Sequence, residues 1–244
     1  MGQHDTMKNF LNIAEQLCPN NIIVILNKAE FFSSINDSEK EEEYYKKAYD
    51  TFPRSVQSCY RYAMFKFENC QDEEAINLIN EGIVIDPQYI QNYELLADVA
   101  DQNNEFENAI DYLQKCIKLC PEDGNYHYKI GEYLLQMQLY DEAITYFNQS
   151  IKKIISQTRK VEAHQSIAYC HFQLENFFES FQEYFSSFKI NVSNNNYQTT
   201  IQSITYLVDE DYLTADEIDE VYQKYIQNNL TFQSQYSHLD LYLD

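Results

Sequence analysis

The stretch YELLADVADQNNEFENAIDYLQKCIKLCP, residues 93–121, decides the fold of this chain. Apolar residues recur in it every three or four positions, which predicts two amphipathic helices in succession. Small residues, Ala97 and Ala109, stand within the two apolar faces and let the helix backbones approach closely. Pro121 ends the second helix, because its ring does not fit the turn and it has no backbone donor. The stretch therefore predicts a helix–turn–helix unit.

The prolines repeat the end of this unit at a fixed interval. Pro19, Pro53, Pro87 and Pro121 are all the prolines of the chain, and each lies 34 residues after the one before. A period of 34 residues is typical of a helix–turn–helix solenoid, in which each unit buries its apolar face by stacking on its neighbours. With only 4 glycines and 4 prolines, the turn-rich β-sandwiches and barrels are disfavoured. We predict an all-α solenoid.

Two further kinds of position recur in register with the prolines. The first helix of each unit carries a small residue, namely Ala29, Ala63, Ala97 and Gly131, and then Ala168 in a fifth unit that is offset by three residues. The second helix carries an alanine and, four positions later, a large residue, as in Ala75 with Ile79, Ala109 with Leu113 and Ala143 with Phe147. Such alternation is what ridge-into-groove packing requires. The unit ending at Pro53 departs from the pattern, with Lys28 where leucine is usual and Glu41 where alanine is usual.

These landmarks resemble the tetratricopeptide repeat family, whose pattern is W-x2-L-G-x2-Y…A-x3-F…P. The best match has Tyr93, Leu96, Ala97, Ala109, Leu113 and Pro121 at the expected offsets. The resemblance implies a right-handed superhelix of repeats over residues 7–192, which binds a peptide or a helix on its concave side. Its units are a half repeat, 7–21, and full repeats at 22–55, 56–89, 90–123, 124–157 and 161–192.

Residues 193–244 depart from the repeat, and we predict a pair of C-terminal capping helices followed by a tail. Ile201, Ile204 and Leu207 share one face of the first of these helices. Thr214 and Glu217 form the pattern of a capping box that opens the second.

The charge limits the choice of partners. The formal net charge is −22, and such a surface repels nucleic acid and anionic lipid, so we expect protein partners with basic or helical segments. No stretch has the roughly 20 apolar residues that span a bilayer. Six irregularly spaced cysteines favour a reducing compartment, and we expect a cytoplasmic location, with a ciliary or mitochondrial assembly left open. Gly2 and Thr6 fit the permissive acylation pattern, which is a minor alternative.

The nucleophilic, acidic, histidine and glycine residues of the chain show no pattern that is typical of an enzyme. Four scattered glycines leave no phosphate-binding loop, and no nucleophile, histidine and acid stand at a meaningful spacing, so we predict neither an enzyme nor a cofactor. Cys116 and Cys120 lie four positions apart with His127 not far along the chain, residue types that bind zinc, but both cysteines have packing roles in the repeat. Asp209, Asp211 and Glu220 match three EF-hand ligand positions, but Leu213 and Thr214 break that loop. We predict no metal site.

The resemblance implies that the first helix of each repeat lines a partner-binding groove. An acidic centre with aromatic residues on both sides gives the candidate site Tyr60, Arg61, Met64, Phe67, Glu94, Asp98, Tyr128, Glu132, Leu135, Tyr169 and Phe172. A merely solvated acidic face is the alternative. Asn27 and Arg61 fall at positions that bind a terminal carboxylate in chaperone co-factors of the family, but the acidic centre disfavours that ligand.

The function predicted from these features is a non-catalytic scaffold, a subunit of a larger multiprotein assembly that binds partners through the concave face and the C-terminal region. The alternative is a transient adaptor, similar to a co-chaperone, that captures basic or amphipathic motifs in an acidic groove. A regulatory domain of an enzyme is a third possibility. Salt separates the first two, because screening weakens a charged contact more than an apolar one. Ciliary, mitochondrial and protein-degradation complexes all remain candidates.

Overall fold

The computed structural model describes residues 2–191, 198–210, 212–214, 216–218 and 220, and no strand occurs among them. Twelve helices lie in these described residues: α1 Gln3–Leu17, α2 Ile22–Ser34, α3 Ser38–Thr51, α4 Val56–Glu68, α5 Asp72–Ile85, α6 Ile90–Gln102, α7 Phe106–Leu119, α8 Gly124–Gln136, α9 Tyr140–Lys153, α10 Gln157–Gln173, α11 Phe177–Asn191 and α12 Gln198–Asp209. They fall into two compact units. The first, Met1–Leu119, contains α1 to α7, and the second, Cys120–Asp244, contains α8 to α12.

Consecutive helices pack in pairs within each unit. In the first unit α2 packs on α3, α4 on α5 and α6 on α7, while α1 packs on α2. The first helices of successive pairs also touch, α2 with α4 and α4 with α6. In the second unit α8 packs on α9, α10 on α11 and α11 on α12. The structure confirms the all-α solenoid of paired helices that the 34-residue period predicts.

The predicted small positions are where the paired helices meet. Ala29, Ala63 and Ala168 have no exposed surface, and Ala97 is 1% exposed. Gly131 on α8 is tighter still, since a methyl group there would lie 2.8 Å from the ring of Phe147 on α9. Phe147 is itself fully buried. Where the second helix carries a larger residue at this contact, the first helix therefore carries a smaller one.

The helices end near the prolines, as the sequence predicts. The helices α1, α3, α5 and α7 each end two residues before a proline, as expected from the restricted backbone of the residue that precedes proline. After the prolines, the side chains of Asn21, Ser55 and Asp123 cap the next helices by accepting hydrogen bonds from backbone N–H groups. The second helix α9 ends at the same register with Ile155 where a proline would stand. Proline is therefore not required at this position.

The turn inside each helix pair holds a feature that the sequence did not reveal. Five residues without a glycine among them have φ between 56° and 61°, the left-handed region, and they are Asn36, Cys70, Asn104, Gln138 and Glu175. Each closes a Schellman motif; for example, Gln138 N–H donates to the Leu135 carbonyl and Leu139 N–H to the Leu134 carbonyl. Asparagine tolerates this conformation, whereas cysteine, glutamine and glutamate adopt it at a cost.

Lys28, which stands where leucine is usual, is accommodated by ion pairing. Its side chain on α2 is buried, and its ammonium donates to the Glu15 carboxylate on α1 and to the Tyr44 hydroxyl on α3, 3.1 Å away. Lys47 also pairs with Glu15, at 2.9 Å. Burial lowers the pKa of Lys28, but the hydrogen bonds to Glu15 and Tyr44 outweigh it and leave the pKa raised. The lysine therefore stays charged and ties three helices together.

At the C-terminal end, α12 packs on α11 through Ile204 and Leu207, which are 3% and 1% exposed. The predicted capping box forms, since Thr214 N–H donates to the Glu217 carboxylate at 2.8 Å and Glu217 N–H donates back to Thr214 Oγ1 at 3.3 Å. Most of the second helix of the predicted capping pair, from 221 onward, and the tail to residue 244 lie outside the described residues.

The contact between Gly131 and Phe147 gives a test of this packing. Gly131→Ala is expected to lower the free energy of unfolding by about 1–3 kcal/mol, because the new methyl group overlaps a rigid ring. Adding Phe147→Leu reproduces the pairing of Ala97 with Leu113 and should recover more than half of that loss. Urea unfolding of the two single variants and the double variant measures the coupling. Strictly additive losses would contradict the packing described.

The left-handed turn residues give a second test. Gln138→Gly is expected to raise the free energy of unfolding by about 1 kcal/mol, because glycine adopts this conformation without a side-chain clash. Asn104→Gly is the matched control at the equivalent turn, and it should change stability little, since asparagine already tolerates a positive φ. Equal gains in both variants, measured by urea unfolding, would show that strain at Gln138 is not the cause.

Candidate functional site

The first unit contains an open pocket between α2, α3 and α4, and we call it the acidic pocket. Its volume is ≈ 310 Å³. Among the described residues that line it are three carboxylates and one guanidinium, so its walls carry a net negative charge. The lining residues are Glu30, Ser33, Ser34, Glu41, Tyr45, Arg61, Met64, Phe65 and Glu68.

Arg61 and Met64, two residues of the candidate site predicted from sequence, lie in the wall of the acidic pocket. The Arg61 guanidinium pairs with the Glu30 carboxylate at 3.1 Å. Both side chains are well exposed, so this ion pair contributes little stability, on the order of 0–1 kcal/mol. Its main consequence is that Arg61 is already matched by an acid of the pocket, which leaves Glu41 and Glu68 as the unneutralised charge.

Glu41 is the distinctive residue of the acidic pocket. It occupies the repeat position that holds the fully buried Ala75, Ala109 and Ala143 in later repeats, and it is itself only 8% exposed. Burial raises the pKa of its carboxyl, and the nearby charge of Glu68 raises it further, while a hydrogen bond with Ser33 lowers it. Among the ion pairs of the described residues, none includes Glu41. A carboxylate in a core position without a cation destabilises the fold.

An aromatic wall completes the acidic pocket. The Tyr45 ring packs against Phe65, with ring centroids 5.9 Å apart. Burial, together with the charges of Glu41 and Glu30, raises the pKa of Tyr45 to about 12, so its hydroxyl remains neutral. A cation that enters the pocket therefore meets carboxylates and aromatic side chains, both of which attract it.

The other predicted residues of the first unit do not line this pocket. Tyr60 packs edge-on against Tyr89, with ring centroids 5.6 Å apart. Phe67 is half-buried and packs against the core of the unit. Glu94 and Asp98 are half-buried on α6. Burial, Tyr89 and Glu94 raise the pKa of Tyr60, and Asp98 adds a smaller effect in the same direction.

The second unit contains a larger open pocket, which we call the aromatic pocket. Its volume is ≈ 440 Å³, and its lining residues are Tyr169, Phe172, Tyr184, Gln202, Ser203, Tyr206 and Leu207. Tyr169 and Phe172 on α10 belong to the predicted site. The rings of Tyr169 and Tyr206 are 43% and 49% exposed at the pocket, whereas Leu207 is buried. The pocket thus has an apolar floor at Leu207, and side chains that carry hydroxyl groups are among the residues around it.

Polar contacts hold α12 in place beside this pocket. Thr200 on α12 is fully buried, and its hydroxyl accepts a hydrogen bond from the Gln165 amide of α10 at 2.9 Å. Phe172 sits among aromatic neighbours, with centroid distances of 5.5 Å to Phe177 and 6.2 Å to Tyr206. Burial raises the pKa of Tyr184, although a hydrogen bond with Ser203 acts in the opposite direction. These contacts join α12 to α10, and both helices contribute residues to the pocket.

The remaining predicted residues of the second unit are largely covered. Tyr128 is 5% exposed, packs on Phe147 and lies beneath the Arg159 guanidinium, which is 4.6 Å from its ring centroid. Burial raises the pKa of Glu132, while Arg159 and a hydrogen bond with Tyr128 lower it. Leu135 is half-buried. Tyr128 and Glu132 thus lie beside Arg159, and Tyr128 itself offers little surface to a ligand.

Sequence reasoning did not include Glu41, Tyr45 or Glu68 of the acidic pocket, nor Tyr184, Gln202, Ser203 or Tyr206 of the aromatic pocket. Glu41 had a signal, since it replaces the alanine of the repeat. The others belong to second helices, to the end of α4 or to α12, which the resemblance does not assign to the groove.

The part of the chain that the structure describes contains neither a metal-binding cluster nor a membrane-spanning helix. No three His, Cys, Asp or Glu side chains come together there as a group able to hold a metal ion. None of the helices there combines the length and the apolar composition that crossing a membrane requires.

A protein-family model matches the middle part of the chain. The family model for anaphase-promoting complex, cyclosome, subunit 3 matches residues 68–150. No curated protein sequence matches the chain significantly.

Solved structures resemble the chain over most of its length. A structure of MamA is 19% identical, covers 72% of this chain and 95% of its own, and has a TM-score of 0.60. MamA from Desulfovibrio magneticus RS-1 is 10% identical, with coverage of 72% and 97% and a TM-score of 0.60. YrrB, described as a TPR protein with an unusual peptide-binding site, is 16% identical, with coverage of 79% and 96% and a TM-score of 0.60. At these identities the likeness shows the fold alone.

The repeat landmarks of the sequence, the helix pairs of the structure and these likenesses agree. The chain has the fold of tetratricopeptide-repeat proteins.

Proposed function

We propose that this chain is a non-catalytic protein-interaction scaffold that binds segments of partner proteins through the acidic pocket and the aromatic pocket. The observation that carries the proposal is Glu41, a carboxylate buried at a position where three other repeats have alanine. Departures from the sequence pattern of a fold tend to occur at functional sites. Glu41 is such a departure, and it lines a pocket with room for a ligand side chain.

The acidic pocket fits the side chain of a lysine or an arginine. A cationic ligand binds favourably to a buried carboxylate that has no counterion. The reason is that folding has already removed water from the acid, so binding does not carry that desolvation cost. The rings of Tyr45 and Phe65 add favourable contacts with a cation. This supports partners with basic segments, as the net charge of −22 also does.

The aromatic pocket fits an apolar or aromatic side chain. Its apolar floor and its exposed tyrosines resemble the centres of protein interfaces, where buried aromatic anchors contribute most of the affinity. Hydroxyl groups around the pocket can bond the backbone of the bound segment. A partner anchored here relies on apolar contact, so salt should affect its binding little.

A stable scaffold is favoured over an exchanging adaptor by the aromatic pocket and by the family model, which describes a subunit of a multiprotein complex. The adaptor is favoured by the acidic pocket alone, since a contact dominated by charge weakens with salt. Co-purification of partners with the tagged chain, washed at low and at high salt, separates the two. A stoichiometric set retained at high salt supports the scaffold.

The acidic pocket is tested with Glu41→Gln combined with Glu68→Gln. Peptides selected on the full chain from a random displayed library serve as the probe, and we expect enrichment of basic sequences. Their affinity for the double variant should fall by about tenfold, roughly 1.4 kcal/mol. As the pH falls from 7 towards 4, binding to the wild type should weaken, because the raised pKa lets Glu41 take up a proton early. The double variant should lose this pH dependence.

Glu107→Gln combined with Glu122→Gln is the matched control, because both acids are exposed and lie outside the pocket. It removes the same charge and should leave affinity nearly unchanged. Equal weakening in the two double variants would show that only the overall charge matters. Fluorescence anisotropy with labelled peptides measures both.

The aromatic pocket is tested with Gln202→Trp, which fills the pocket from an exposed position on its rim, and with Tyr169→Ala, which removes an exposed wall. Each should weaken apolar library peptides by about tenfold or more, at low and high salt alike. Val84→Trp, at a well-exposed position elsewhere, is the control for added aromatic surface. Apolar peptides that bind both pocket variants as well as the wild type would exclude this pocket as their site.

A further inference from the structure

The chain that follows α12 folds back beside the aromatic pocket. Tyr212 lies against two of the aromatic residues that line the pocket, with centroid distances of 5.8 Å to Phe172 and 5.9 Å to Tyr206. Further along, Ile218 packs against the buried cluster that includes Leu207, the floor of the pocket. The residues that come after the described part of the chain therefore start close to this pocket.

The tail segment, which we define as residues 230–244, has a composition unlike that of the rest of the chain. Its sequence is LTFQSQYSHLDLYLD, in which Asp240 and Asp244 are the only Asp, Glu, Lys or Arg residues. None of these four residue types occurs from Tyr225 to Leu239, although they make up 23% of the whole chain. Because this uncharged run also contains apolar and aromatic side chains, its transfer from water to an apolar surface is favourable.

An apolar stripe in the tail segment matches the aromatic pocket in chemistry and in size. Phe232, Tyr236 and Leu239 are spaced i, i+4 and i+7, the spacing with which one face of a helix inserts anchors into an apolar groove. The described residues that line the pocket are uncharged as well. A cavity of roughly 150 Å³ already holds a benzene ring. The volume of ≈ 440 Å³ therefore has room for the two aromatic rings of the stripe.

The length of chain between the described residues and the stripe is sufficient to reach the pocket. Phe232 follows Glu220, the last described residue, by 12 positions. An extended chain of that length spans up to roughly 40 Å, and a small domain is only about 30 Å across. A segment tethered in this way is present at a roughly millimolar effective concentration. A second copy at ordinary protein concentrations does not compete with it, and two copies of net charge −22 repel each other.

We propose that the tail segment occupies the aromatic pocket of its own chain and closes that pocket to partners. Phe232 and Tyr236 are the anchors, and Leu239 packs beside them. The inference rests on the proposed function of the pocket, because the tail segment is a competitor for the same site. A partner must displace it, so the apparent affinity for the partner falls with the fraction of copies whose pocket is open.

A single tryptophan can report whether the pocket is covered, because the chain has no tryptophan of its own. Tyr169→Trp places this pocket reporter in the wall of the pocket in the full chain. Adding Phe232→Ser and Tyr236→Ser should increase quenching by acrylamide and shift the emission to longer wavelength. A control reporter, Val84→Trp, lies at a well-exposed position of the first unit and should not respond to the same changes.

The matched control in the tail segment is Leu241→Ser combined with Tyr242→Ser, which removes a similar apolar surface outside the stripe and should leave the pocket reporter protected. A synthetic peptide of residues 230–244, added to the Phe232→Ser, Tyr236→Ser variant, should restore protection. Circular dichroism and the thermal midpoint establish that the variants are folded. Phe232→Asp alone provides a second variant, in which the charge opposes entry into an uncharged pocket.

The apolar library peptides that test the proposed function give the second readout. They should bind the Phe232→Ser, Tyr236→Ser variant about tenfold more tightly than the wild type, because their competitor has been removed. The 230–244 peptide should compete with them.

Equal quenching of the pocket reporter with and without the substitutions at Phe232 and Tyr236 overturns the inference, and the proposed function then stands on its own tests. Protection that increases with protein concentration overturns it too, because the tail segment of a second copy would then be the occupant. A pocket that opens in the variant but binds no apolar peptide supports the tail contact and contradicts the proposed function.

Discussion

Close approach of two helix backbones at one small residue is the contact on which the rest of each repeat depends. Where the first helix has Ala97, the second helix presents Leu113, and where the first helix is reduced to Gly131, the second presents Phe147. A larger side chain on the second helix is thus matched by a smaller one on the first helix. The two helices of a pair therefore stay in contact while the sequences around them vary. With each pair fixed in this way, the first helices α2, α4 and α6 touch in succession, and the acidic pocket forms between α2 and α4 on the α3 side.

This contact also explains why so much of the fold could be predicted. The small and large positions, the prolines and the caps are local signals that recur at a constant interval, so one well-matched stretch supplies the register for the others. Lys28 breaks the pattern and is still explained by its neighbours, since Glu15 and Tyr44 satisfy its ammonium. The turns were not predictable in the same way. Gln138 and Glu175 hold a conformation that usually calls for glycine, and nothing in either side chain signals it.

The candidate site was harder to predict, because part of its walls comes from helices that the family pattern does not assign to a groove. Glu41 and Tyr45 belong to a second helix, and Tyr206 belongs to α12, beyond the last repeat. Conversely, Tyr128 stands at a groove position and is nonetheless covered by Arg159, a residue from the next helix pair of its unit. Such contacts between distant positions follow from packing and not from spacing along the chain.

Glu41 has a consequence for the rate at which the protein is degraded. A buried carboxylate without a counterion lowers the stability of the unbound chain, and under the proposed function a cationic side chain bound in the acidic pocket would remove that deficit. Binding and folding are then thermodynamically linked, so a saturating partner adds to the free energy of unfolding. Copies that find their partner would resist proteolysis, while unassembled copies would be cleared faster. One acidic substitution at an alanine position would in this way match the amount of the protein to the amount of its partner.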